Sequence, residues 1–194
     1  MIRLVAFAGS SRRGSFNRKL VRIAAEGASS AGAQVEILEL SEYPMPLMNE
    51  DLEAEKGMPE AAGRFKRKLL EADGFIISAP EYNSSMTPLL KNSLDWASRS
   101  ETPDEKPLSA YRGKTAVLMS ASPGSLGGMR GLVPLRLMLM ELGVTVLPVY
   151  RCISSANEAF EEDGSLKNGR DMKAVMGLGA ALCRALERGD HGEG

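Results

Sequence analysis

The chain has 194 residues, the size of one ordinary domain and long enough to bury a sizeable core. Its 24 basic and 25 acidic side chains leave a formal charge of −1, so there is no global electrostatic case for nucleic acid or an anionic membrane. Cys152 and Cys183 show no C-x-x-C spacing and no secretory framework, and the only histidine, His191, lies in a polar tail. These features argue against a disulfide scaffold, a His-based triad and a His-rich metal site.

In chain order, short apolar runs alternate with helical patterns. Residues 2–8 read as a buried strand. The polar segment 9–17, GSSRRGSFN, follows it and opens a helix over 17–28, with Leu20, Ile23, Ala24 and Gly27 on one face. Residues 1–25 carry Arg3, Arg12, Arg13, Arg18, Lys19 and Arg22 and no acid. That local excess fits an anionic small ligand, although a solvated basic helix face is the plainer reading of charge alone. A second strand is expected over 34–40 and a second helix over 59–72, with Pro59 suited to its first turn. A third strand spans 74–79, and PEYNSSMTP follows it at 80–88. A helix covers 88–98. The fourth strand, 114–121, runs into SASPGSLGG at 120–128. An apolar, Met-rich helix follows at 131–142, then a fifth strand at 144–149 and a closing helix at 171–188.

Buried, non-alternating strands separated by helices indicate a parallel sheet covered on both faces. Right-handed crossovers leave few orders for five such strands. The flavodoxin-like, doubly wound α/β order 2-1-3-4-5 fits without a second half. Residues 1–188 are expected to form a single domain, with 189–194 a flexible tail. Three long connections, 41–58, 99–113 and 151–168, are either functional loops or plain surface insertions. No apolar stretch is long enough to span a bilayer, and no signal-peptide pattern precedes the first strand, so a soluble, cytoplasmic protein is expected.

In that order the carboxyl ends of strands one, three and four are neighbours, so the three polar loops converge on one crevice. The first loop offers hydroxyls, an amide and two guanidinium groups at a strand-to-helix turn, which suits a phosphate. It lacks G-x-G-x-x-G, and Ser15 stands where a P-loop would place lysine, so neither a dinucleotide pyrophosphate site nor triphosphate hydrolysis is indicated. A monophosphate would sit at the first loop and a flat ring between the other two. Gly124, Gly127 and Gly128 would let backbone approach that ring.

GSSRRGSFN at 9–17, PEYN at 80–83, LKNSLDW at 90–96 and SPGSLGG at 122–128 together resemble the NADPH-dependent FMN reductase family, whose members include quinone, chromate and azo-dye reductases. The resemblance implies that Ser10, Arg12, Ser15, Phe16 and Asn17 cradle the phosphate of FMN. Pro80, Glu81, Tyr82 and Asn83 would border the isoalloxazine, largely through backbone groups, and Ser120, Ser122, Pro123 and Gly124 would line its other edge. The family pattern often has a larger apolar residue where this chain has Ser11. The resemblance also implies NADPH or NADH as electron donor, a small-molecule acceptor such as a quinone, and a homodimer or homotetramer with the flavin near a subunit boundary. Trp96 and the Met138/Met140 helix would be candidates for that boundary, although core packing is the plainer reading of each. The flavin would carry the chemistry by ping-pong hydride transfer through N5, with no catalytic side chain and no metal. Glu81 could be proposed as a catalytic acid, but a solvent-facing loop carboxylate is the plainer reading. A non-enzymatic FMN electron carrier or a flavin-dependent regulatory protein would share the fold, and the charge of −1 and Arg12/Arg13 point away from the acidic carriers.

Overall fold

A computed structural model describes residues 1–189; the tail from 190, with His191, lies outside the described residues. In chain order the elements are β1 (Arg3–Ala8), α1 (Phe16–Ser30), β2 (Gln34–Leu38), a 3-10 turn at Leu40–Glu42, α2 (Glu50–Lys56), α3 (Glu60–Glu71) and β3 (Gly74–Ser78). A small hairpin of β4 (Glu81–Tyr82) and β5 (Ser85–Met86) follows. Then come α4 (Pro88–Ser98), β6 (Thr115–Ala121), α5 (Met129–Glu141), β7 (Thr145–Ile153), α6 (Ala156–Ala159) and α7 (Gly169–Gly189).

The main sheet has the order β2-β1-β3-β6-β7, and every neighbouring pair is parallel. This is the expected 2-1-3-4-5 arrangement of its five strands. Side chains alternate across the sheet, and two separate cores result. Val5 and Phe7 of β1 pack with Phe65 of α3, Leu90 and Leu94 of α4, and Leu135 and Leu139 of α5. Leu4, Ala6 and Ala8 pack instead with Leu20 and Ala24 of α1 and Val175 and Leu182 of α7. Helices therefore lie on both sides of the sheet. No helix among the described residues is long and apolar enough to cross a membrane.

Four details differ from the sequence reading. Helix α2 lies inside the connection 41–58; it buries none of its residues and so has no apolar periodicity to detect. The β4–β5 hairpin turns through Asn83 and Ser84, both at positive φ (50° and 65°), as a two-residue hairpin loop demands. The last strand does not stop at Val149. It bulges around Pro148, which has no N–H to give the ladder, and then resumes pairing, with Tyr150 opposite Leu118 and Ile153 opposite Ala121. The short α6 sits in the connection 151–168.

The connection 99–113 is a structural strap. Lys66, with 1% of its side chain exposed, donates to the Arg99 carbonyl at 2.7 Å and pairs with Glu105. Burial pushes the Glu105 carboxyl up, but hydrogen bonds from Lys66, Ser109 and the Glu101 N–H outweigh it and hold the group down at about 2. The Tyr111 hydroxyl, fully buried, donates to Leu94 O at 2.7 Å.

Candidate functional site

The ends of β1, β3 and β6 bring the three polar loops to one edge of the sheet. The first loop turns tightly: Ser10 Oγ accepts from the Arg12 N–H at 3.3 Å, and the Ser15 N–H donates to Arg12 O at 3.1 Å. Ser15 caps α1, its hydroxyl accepting from the Arg18 N–H at 3.4 Å. The first turn of α1 holds no acid, which leaves the positive end of the helix dipole uncompensated. Arg18 and Arg22 both pair with Glu39, whereas Arg12 and Arg13 have no ion-pair partner among the described residues. Ser11, Arg12, Arg13 and Gly14 are exposed.

A second helix start faces this loop. Thr87 caps α4 through Leu90 N at 3.2 Å, and its hydroxyl donates to Gly9 O at 2.7 Å. Gly9 is needed there, because a Cβ would lie 2.9 Å from Leu90 Cβ. A cavity opens between the two helix starts, lined by Ser10, Ser11, Arg12, Tyr82, Thr87 and Pro88. Sequence reasoning missed Thr87 as a site residue. The Thr-Pro pair at 87–88 does signal a helix start. A larger groove runs along α1 between Arg13, Lys19 and Arg22 and the acidic Glu26, Glu162 and Asp163. Its mixed walls favour no ion of either sign, so the loop crevice is the better candidate.

Of the residues expected to touch a ligand directly, Ser10, Arg12, Tyr82, Asn83, Pro123 and Gly124 are exposed or half-buried at the crevice edge. Phe16 is half-buried against the α1–α7 core. Pro80 is half-buried between β3 and the hairpin. Ser122 is also half-buried, and its hydroxyl accepts from the Gly124 N–H at 3.3 Å.

Three expectations need correction. Asn17 points inward: Nδ2 donates to Ala121 O at 2.8 Å, while Oδ1 accepts from the Ala121 N–H at 3.0 Å and from Ser78 Oγ at 2.9 Å. It ties the start of α1 to the ends of β3 and β6. Ser120 is fully buried and donates to Ala79 O at 2.7 Å, so it joins two strand ends and does not line the crevice. Glu81 is not a solvent-facing carboxylate, because its side chain is only 7% exposed. It accepts from Arg130 Nε at 2.8 Å and from the Gly131 N–H at 3.2 Å, and so caps the start of α5 and anchors the hairpin. Gly127 and Gly128, at positive φ, are likewise required by protein packing: a Cβ at either would meet Ile153 backbone or Ser120 Oγ within 3 Å.

The site contains no activated thiol. Burial, with Glu81 adding to it, pushes the Cys152 thiol up to about 11, and burial also raises Cys183. The arrangement is a rigid cationic cradle beside a polar shelf, suited to bind and orient an anionic planar group.

Comparison with known proteins agrees with this reading. The family model described as NADPH-dependent FMN reductase matches residues 2–158. An NAD(P)H-dependent FMN reductase of Pseudomonas aeruginosa is 39% identical over 176 residues, which is 90% of each chain. A quinone reductase of Pseudomonas putida is 35% identical over 161 residues, or 82% of each chain. Among solved structures, FerB, a flavoenzyme NAD(P)H:(acceptor) oxidoreductase of Paracoccus denitrificans, superimposes with a TM-score of 0.78 at 26% identity, across 97% of this chain and 98% of that one.

Proposed function

The chain belongs to the NADPH-dependent FMN reductase family, and from that premise we propose that it passes electrons from NAD(P)H through FMN to a quinone or a similar small oxidant. It is an oxidoreductase that uses FMN and NAD(P)H. The observation that carries the assignment of its site is the acid-free start of α1 with two arginines unpaired among the described residues, set against the capped start of α4. When bound, FMN supplies hydride acceptance at N5 and electron donation to the acceptor.

The protein binds, orients and shields. Arg12, Ser10, Ser15 and the N–H groups of the first loop would hold the phosphate. Phe16 supports Arg12, and Asn17 acts from behind by fixing the loop to the strand ends. Pro80, Tyr82 and Asn83 would border one edge of the ring, and Ser122, Pro123 and Gly124 the other. Glu81 holds the hairpin in place through Arg130 and α5 and touches no reacting atom. The loops at the sheet edge would cover one ring face and leave a single face for donor and acceptor in turn.

Turnover is therefore ping-pong. Initial rates with the acceptor varied at several NADPH concentrations give parallel double-reciprocal lines; intersecting lines would mean that both substrates bind together. Arg12→Ala weakens FMN roughly ten- to a hundred-fold, the scale of one charge-assisted hydrogen bond. Unchanged affinity in a fluorescence titration would remove Arg12 from the cradle.

We also propose a homo-oligomer. Helix α5 exposes Val133 (67%), Leu137 (61%) and Met140 (57%) at helical spacing, and the edge strand β7 beside it exposes Val149 and Tyr150. A second copy of the chain is the occupant that fits this strip. Trp96 is not part of it: the ring is fully buried and its N–H donates to Pro46 O at 2.8 Å. Met138 packs against the core, and only Met140 of that pair faces outward.

A further inference from the structure

Arg12 is exposed and has no ion-pair partner among the described residues, yet its guanidinium is held in a defined place. Its central carbon lies 5.2 Å over the ring of Phe16. The Phe16 ring is stacked on Phe160, with centroids 5.8 Å apart and planes 9° from parallel. Lys19 Nζ lies 5.6 Å over the Phe160 ring. Two cations and two rings thus form one continuous stack, which runs from the phosphate loop to a segment more than a hundred residues later in the chain.

That segment is built to hold Phe160 still. Phe160 and Leu166 form an antiparallel bridge, Glu161 N donates to Ser165 O at 2.9 Å, and Lys167 N donates to Ala159 O at 3.0 Å. Asp163 fastens the turn between them, accepting from the Ser165 N–H at 2.9 Å and from its hydroxyl at 2.7 Å. Phe160 is 9% exposed and belongs to the α1–α7 core.

We propose that Phe160 is a positioning residue for the flavin phosphate, acting through Phe16 to hold the Arg12 guanidinium at the cradle. The proposal rests on the reading that Arg12 takes the phosphate. A long arginine side chain loses rotamer freedom when it grips an anion, and a ring that restrains it beforehand lowers that cost. The face of an aromatic ring attracts the guanidinium without occupying its N–H donors, which stay free for phosphate oxygens.

The test compares FMN with riboflavin, which lacks the phosphate, in fluorescence titrations of the full chain. Phe160→Leu keeps most of the buried apolar volume and removes the ring. It weakens FMN about three- to ten-fold, because Phe16 loses the ring that holds it under Arg12 and the Arg12–Phe16 contact is loosened, and leaves riboflavin affinity within about twofold of wild type. Phe160→Tyr restores FMN binding. Arg12→Ala with Phe160→Leu binds FMN no more weakly than Arg12→Ala alone, because the second change acts only through the first. Equal weakening of FMN and riboflavin in Phe160→Leu, or additive losses in the double variant, overturns the proposal. If Arg12→Ala itself leaves the FMN-to-riboflavin ratio as in wild type, the phosphate reading falls and the proposal with it. If Arg12→Ala lowers that ratio and Phe160→Leu does not, the proposal alone falls.

Discussion

The α1–α7 layer and the α5–β7 edge are two helical borders of the same sheet, finished in opposite ways. Between α1 and α7 the backbones touch through glycine: a Cβ at Gly27 would lie 2.1 Å from Met176 O, and one at Gly179 would lie 2.0 Å from Ala24 O. Leu20, Ala24 and Ala28 on one helix and Val175 and Leu182 on the other are sealed from solvent. At the α5–β7 edge, Val133, Leu137, Met140, Val149 and Tyr150 stand in water. The first border completes itself within the chain, and it carries the Arg12 loop at the start of α1. The second leaves an apolar strip exposed. The tightly packed border lies beside the proposed phosphate cradle, and the exposed apolar strip is where a second copy of the chain is proposed to pack.

The largest effect expected is from Gly179→Ala. The added methyl meets a backbone carbonyl, which has no rotamer to escape into, so α1 and α7 must separate. A loss of about 3 kcal/mol or more is expected, read as a lower urea midpoint at unchanged slope. Gly177→Ala is the matched control on the same helix. Nothing lies within 4 Å of that site, so the change stabilises by roughly 0.4–1 kcal/mol. Equal midpoints for the two variants would break the contrast drawn between the borders.

Asn17→Ala comes next. It removes one buried acceptor and one buried donor, and leaves the Ser78 hydroxyl and both Ala121 backbone groups without their partner. The expected cost is roughly 2–3 kcal/mol in stability, with weaker FMN binding because the start of α1 is released from the sheet. Full stability with FMN binding alone reduced would mean that Asn17 reaches the phosphate directly.

The fold was legible because burial leaves a periodic trace. Strand β3 is buried throughout, and the bounds of α4 follow directly from Thr87-Pro88 and the apolar spacing after it. Helix α2 left no such trace, since EDLEAEK has no buried face, although Asn49 before it and Gly57 after it are legible caps. Convergence of the three loops followed from strand order. Which way their polar side chains turn did not. A serine or asparagine at a strand or helix end serves a ligand and a backbone tie equally well. Asn17 bonds to Ala121 and Thr87 to Gly9, partners 104 and 78 residues away. Glu81 looked like a loop carboxylate because its partners, Arg130 and Gly131, lie 49 and 50 residues downstream.

The smallest effect on the fold, and the sharpest test of the α5–β7 edge, comes from Val133→Glu combined with Leu137→Lys. Both side chains project into solvent one turn apart, so their replacement opens no cavity and buries no charge within the chain. The opposite charges at this spacing suit an exposed helix face, and stability stays within about 0.5 kcal/mol of wild type. Association behaves differently. Each apolar side chain contributes roughly 1.5–3 kcal/mol when it leaves water, and a charge that replaces it must be stripped of water to fit the same contact. The double variant therefore scatters light as a 20.8 kDa species at micromolar concentration, while the unaltered chain scatters as a multiple of that mass. A variant that still associates moves the interface off α5. An unaltered chain that is already monomeric removes the oligomer, and leaves the exposed strip to be explained by a different occupant.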